Sequence, residues 1–142
     1  MKKFLVAFFA LTTYTLAAQY ADLNKMEIQY TSCMKEADAL TCQSQFYWSV
    51  KDLEVAAYRD ASGLLKDADY EKLRAEEEKW RISADKLCDK AMQSFKNKHP
   101  NVDPLAPNTK TERKDAIALF KQCADFTTAR IKKLALIIDK GV

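Results

Sequence analysis

The chain has 142 residues, 48% of them hydrophobic and 30% charged, with 23 basic and 20 acidic side chains, one His, two Gly, three Pro and four Cys. That length suits one domain, and the two glycines, Gly63 and Gly141, leave no glycine-rich loop to cradle a phosphate or dinucleotide. So few chain breakers also argue against a many-turned sandwich or barrel and predict an all-α fold.

Residues 1–18 read as a secretory signal peptide. Lys2 and Lys3 give a positive start, Phe4 to Leu11 an apolar stretch, and Leu16-Ala17-Ala18 a small-residue exit, with cleavage expected before Ala18 or Gln19. No later segment is apolar enough to span a bilayer, so the mature domain, residues 19–142, is expected to be periplasmic or secreted and without a membrane span. Export gives the even set Cys33, Cys42, Cys88 and Cys123 a default reading as two disulfides. Their intervals of 9, 46 and 35 residues do not suit a four-thiolate metal site, and neither metal nor cofactor is expected.

Four helices follow in chain order. A short N-terminal one spans about Leu23 to Met34, with Leu23, Met26, Tyr30 and either Cys33 or Met34 on one face. The second runs from an N-cap at Thr41 to a stop at Gly63, its buried stripe Phe46, Val50, Leu53 and Ala57. The third opens near Asp67 to Asp69 and reaches about Lys98, with the seam Leu73, Glu77, Trp80, Ala84, Leu87, Ala91 and Phe95. Asn97 to Asn108 holds all three prolines and is the longest candidate binding loop. The last helix begins with the capping box Thr109-x-x-Glu112 and carries Ile117, Phe120, Ala124, Thr127, Ile131, Leu134 and Ile138, before Gly141 stops it. The expected architecture is a disulfide-stapled antiparallel bundle of three long helices plus the short one.

Antiparallel neighbours bring together residues equidistant from their turn. Cys33 with Cys42, Cys88 with Cys123, and Cys42 with Cys88 all pass that test, which gathers the cysteines toward one end of the bundle. The set Cys33–Cys42 with Cys88–Cys123 is favoured over Cys42–Cys88 with Cys33–Cys123, and both stay open.

The run Cys42, Leu53-x4-Tyr58, Leu73-x6-Trp80-x4-Asp85-x2-Cys88, then Cys123-x3-Thr127-x2-Arg130-Ile131-x2-Leu134 resembles the LprI-type lysozyme-inhibitor-like family of small exported bacterial proteins. The likeness covers about Cys33 to Leu136. Glu54, Glu77 and Ala84 stand where that family usually has Asn, Gln and Arg. The resemblance implies an exported helical binding protein and, from the members that give the family its name, inhibition of lysozyme.

No catalytic constellation is present: there is no Gly-x-Ser-x-Gly elbow and no second His, and oxidised cysteines are not nucleophiles, so an enzyme is not expected. Glu76 and Glu78 belong to a solvated face, whereas Glu77 falls on the seam and needs a donor, for which Arg130 is the candidate. Trp80 is expected in the core, and Tyr47 and Trp48 either widen the core or form a surface aromatic patch. From Gln19 onward 21 basic residues face 20 acidic ones, which implies no nucleic-acid partner. Residues 19–89 carry net −5 and residues 90–142 net +6, so the two halves either neutralise each other or the acidic half steers a cationic partner.

The expected function is therefore inhibition of lysozyme or a related peptidoglycan hydrolase. The candidate partner-binding residues are Tyr47, Trp48, His99, Asn101 and Asp103. The alternative is a non-inhibitory envelope interaction or immunity-type protein. Oligomeric state is left open.

Overall fold

A computed structural model describes the backbone of residues 5–139 and the side chains of residues 21–137. The leader assigned to residues 1–18, together with Ile138 and Gly141, lies outside the described side chains. Four helices make up the described fold: α1 (Leu5–Glu36), α2 (Ala39–Leu64), α3 (Asp67–Lys98) and α4 (Lys110–Asp139). The all-α, disulfide-stapled bundle is what the sequence predicts, although α1 begins well before Leu23. Among the described residues no helix is long and apolar enough to cross a membrane.

Helix starts follow capping chemistry. Asp38, not Thr41, caps α2: its carboxylate accepts from the Thr41 N–H and hydroxyl, both at 2.9 Å. The Thr41 amide bond is the first cause of a lowered Asp38 pKa. At α4 the predicted capping box forms, with Glu112 N–H donating to Thr109 Oγ1 at 3.2 Å and Thr109 N–H donating to Glu112 Oε2 at 3.0 Å. Gly63 does not stop α2 through a left-handed turn. The helix runs on to Leu64, Leu65 is extended, and the residue with positive φ at this corner is Asp67, at 49°.

The helices run alternately up and down, which makes α2 and α4 parallel, and these two form the tightest pair. Small residues allow it: Ala57 and Ala61 of α2 and Ala116 and Ala124 of α4 are at most 1% exposed. The α4 seam predicted from periodicity is therefore filled chiefly by α2. Around it one cluster joins Leu23, Val50, Leu53, Leu73, Ile131 and Leu134, and a second joins Leu40, Phe95, Leu119 and Phe120. Each such side chain, once buried, contributes about 1.5–3 kcal/mol. On α1, Cys33 turns toward the bundle while Met34 is exposed, and the Tyr30 hydroxyl donates to buried Gln43 at 2.6 Å.

Both favoured disulfides are present. Cys33–Cys42 closes the α1–α2 corner with Cα atoms 5.8 Å apart, and Cys88–Cys123 joins α3 to α4 at 5.6 Å. The second bridge sits near the middle of α4, so it clamps the α3–α4 pair along its length rather than at its end. Charge neutralisation between the two halves is visible as three ion pairs: Asp38 with Arg113, Glu77 with Arg130, and Glu27 with Lys132.

Candidate functional sites

Two surfaces have the exposure and chemistry to engage another molecule. The first is the loop between α3 and α4. His99, a candidate partner-binding residue of this loop, closes α3: its backbone N–H donates to the Phe95 carbonyl at 2.9 Å, and its ring packs on Phe95 with centroids 5.0 Å apart. Its Nε2 lies 2.8 Å from Asp115 Oδ2 on α4, a contact that holds the Asp115 carboxyl below the usual range. Asn101 is exposed in the left-handed region, at φ 66°, which Asn tolerates better than most residues. Val102 then turns back onto the Phe95–Phe120 cluster. Asp103 is exposed and builds the next turn, its Oδ1 accepting from Leu105 N–H at 2.9 Å and its carbonyl from Ala106 N–H at 2.9 Å. Leu105, at the crest of that turn, is 56% exposed. Sequence reasoning did not single out Leu105; its position between Pro104 and Pro107, where backbone freedom is lowest, was the available signal.

The second surface is a groove of about 340 Å³ between α2 and α3, with Thr127 of α4 beneath it. It opens because α3 leans on α4 and touches α2 only sparsely. Tyr47, Lys51, Glu54 and Val55 form the α2 wall, and Trp80, Arg81 and Asp85 belong to the α3 wall. Tyr47 and Trp48, adjacent in sequence, take the two roles left open for them. Tyr47 is half-buried 6.0 Å from the Phe120 ring centroid, and burial, then Asp85, raises its pKa. Trp48 is 50% exposed with the Lys51 ammonium 5.5 Å from its centroid. Trp80, expected in the core, is only half-buried. It stacks on Phe126 at 5.9 Å and faces the groove.

Behind the groove lies a buried charge cluster. Glu77 is 3% exposed and, as predicted, meets Arg130, which is 6% exposed. Arg130 Nε and Nη2 donate to Glu77 Oε2 at 3.1 and 2.9 Å, while Arg81 Nε donates to Oε1 at 2.8 Å. Glu54, also 3% exposed, lies beside them with no partner for its Oε1. Burial first, then the Glu77 charge and a hydrogen bond with that carboxyl, raise the Glu54 pKa to about 7 against the opposing pull of Arg81 and Arg130. Glu54 and Glu77 thus place two carboxyls in one buried cluster.

The structure thus separates the candidate residues. His99, Asn101 and Asp103 belong to the loop, Tyr47 and Trp48 to the groove, and Tyr47 shares with Val102 the small core that lies between them. Compared with protein-family models, curated proteins and solved structures, the chain matches none.

Proposed function

We propose that this chain is an exported, non-catalytic LprI-like binding protein that inhibits lysozyme or a related peptidoglycan hydrolase, using the proline loop as its inhibitory element. The observation that carries the reading is the anchored loop. It is tied to α4 by His99 and Asp115, pinned inside by Val102, closed by the Thr109–Glu112 box, and crested by exposed Leu105. A loop ordered before binding loses little entropy on entering a cleft, which is the condition for tight inhibition through a small contact. Two disulfides suit a protein that works in an oxidising compartment. Steering by the acidic half is the weaker support, because Asp38, Glu77 and Glu27 are engaged with the basic half.

A second reading, docking of a non-hydrolase envelope partner, is favoured by exposed Trp48 and Val55 on one side of α2. Cell-wall turbidity assays separate the two. Under the first, mature protein slows one of a panel of lysozymes at micromolar excess, Leu105→Asp abolishes the effect, and Trp48→Ala leaves it intact. Failure of the wild-type protein to slow any hydrolase refutes inhibition, and recovery of an envelope protein by wild type but not Trp48→Ala selects the second reading.

A further inference from the structure

The groove between α2 and α3 is not needed by the loop. From a buried carboxyl oxygen in the groove that has no hydrogen-bond partner, its aromatic walls and its already engaged cations, we infer that it is a binding site for an organic ammonium carried on an apolar stem. Glu54 lines the groove and is 3% exposed, yet its Oε1 has no hydrogen-bond partner. A buried acceptor left unpaired is destabilising, so a donor brought by a ligand gains by meeting it. Asp85 faces the same groove and, among the described residues, enters no salt bridge.

The cations nearby are already committed. Arg81 is bonded to Glu77 and lies 5.4 Å from the Tyr58 ring centroid, Arg130 is bonded to Glu77 and lies 5.9 Å from that of Trp80, and Lys51 sits over Trp48. What the groove offers is therefore one Glu54 oxygen without a hydrogen-bond partner and an Asp85 carboxylate outside any salt bridge among the described residues, while the cations that line it, Lys51 and Arg81, are engaged with Trp48 and Glu77. Its walls supply the rest: Tyr47 and Trp80 present aromatic surface that attracts an ammonium and shelters an apolar stem, with Val55 at the rim. The volume, about 340 Å³, lies at the lower end for small-molecule sites and suits a ligand of roughly ten heavy atoms. Such a ligand places its ammonium between Glu54 and Asp85, after a small rotation of the Glu54 side chain, and its stem against Trp80.

Binding is coupled to protons. Glu77 and Arg81 of α3 and Arg130 of α4 act on Glu54 directly, Tyr47, Lys51 and Asp85 share the groove with it, and Tyr58 lies against Arg81. Of these, Glu77 is the one that raises the Glu54 pKa by charge, so at neutral pH Glu54 is partly protonated and the ammonium must displace that proton.

Isothermal titration of the oxidised mature protein with phenethylammonium, 2-phenylethanol, 3-phenylpropanoate and Nα-acetyl-lysine amide tests the site. The expected result is saturable one-to-one binding of phenethylammonium below about 1 mM. Binding at pH 7.5 should be roughly 25-fold tighter than at pH 5.5, the ratio of ionised Glu54 at the two pH values for a pKa near 7. The alcohol and the acid should not bind. Glu54→Gln should weaken binding at least tenfold and flatten its pH dependence, and Asp85→Asn, at an exposed position that the fold tolerates, should weaken it several-fold. Tighter binding of phenethylammonium than of the lysine amide assigns the site to free amines, and the reverse order assigns it to a protein side chain. Equal binding of the alcohol, no saturable binding of either cation, or an affinity indifferent to both variants overturns the inference.

Discussion

Replacing Arg130 with Met tests the buried cluster most severely. Arg130 supplies both hydrogen bonds to Glu77 Oε2, at 3.1 and 2.9 Å, from a site where the two side chains are 6% and 3% exposed. Met keeps most of the stem volume beside Trp80, so packing changes little and the loss is electrostatic. A buried carboxylate deprived of its partner costs about 3–5 kcal/mol. Arg81 still holds Glu77 Oε1 at 2.8 Å, but its side chain is 51% exposed and substitutes only in part, which puts the expectation at the lower end, about 3 kcal/mol. For a domain of this size that lowers Tm by about 10–15 °C. Urea unfolding followed by far-UV circular dichroism at neutral pH, with an unchanged m-value, reads it directly. Glu77→Gln added to Arg130→Met should recover more than half of the loss, because the stranded charge is then gone. A single variant within about 1 kcal/mol of the parent, or a double variant no better than the single, refutes the assignment of Glu77–Arg130 as the cluster's anchor.

Glu54 makes stability fall as pH rises. Its folded pKa, about 7, exceeds the unfolded value of 4.5, so between those values the folded state holds the extra proton and loses its advantage as pH increases, by a few kcal/mol in all, with a plateau above about 7. Glu54→Gln should flatten that slope in urea titrations at stepped pH. Asp38, Glu112 and Asp115 act oppositely: their pKa values are lowered, so what they contribute is lost as pH drops below the usual carboxylate range. Removing Cys88–Cys123, which closes 35 residues, should destabilise by about 4 kcal/mol, against about 3 for Cys33–Cys42, which closes 9, as paired Cys→Ala variants would show on denaturation. Gly63 lies exposed within α2 with nothing near its would-be Cβ, so Gly63→Ala should stabilise by about 0.5–1 kcal/mol in the same assay.

Much of this was legible in residue spacing. The alternation along α4 marks Ile117, Phe120, Ala124, Thr127, Ile131, Leu134 and Ile138 as its inward face; the five from Phe120 to Leu134 are buried, Ile117 is half-buried, and Ile138 lies outside the described side chains. The Thr109–Glu112 box fixes where α4 starts, and one carboxylate on an apolar seam calls for a cation such as Arg130. Periodicity identifies the face a helix turns inward but not how closely that face is covered. Trp80 and Leu87 lie on the predicted seam yet are half-buried, because α3 leans toward α4 and leaves α2 standing apart. Glu54 was hidden for a related reason: one residue beyond Leu53, it sits where the core face of α2 meets the groove, an edge that depends on how two helices diverge. Thr41 was read as the α2 cap because a hydroxyl suits that role. The carboxylate three residues earlier accepts from both the Thr41 amide and its hydroxyl, and so captures the position.

Intact-mass and peptide mass spectrometry of the protein recovered from outside the cytoplasm bears most directly on the reading of an exported, oxidised bundle. The prediction is a chain beginning near Gln19, lighter than its reduced form by the hydrogens of two disulfides, with cross-linked peptides joining Cys33 to Cys42 and Cys88 to Cys123. Four free thiols, the alternative pairing of Cys42 with Cys88, or a chain confined to the cytoplasm with its leader intact would contradict it.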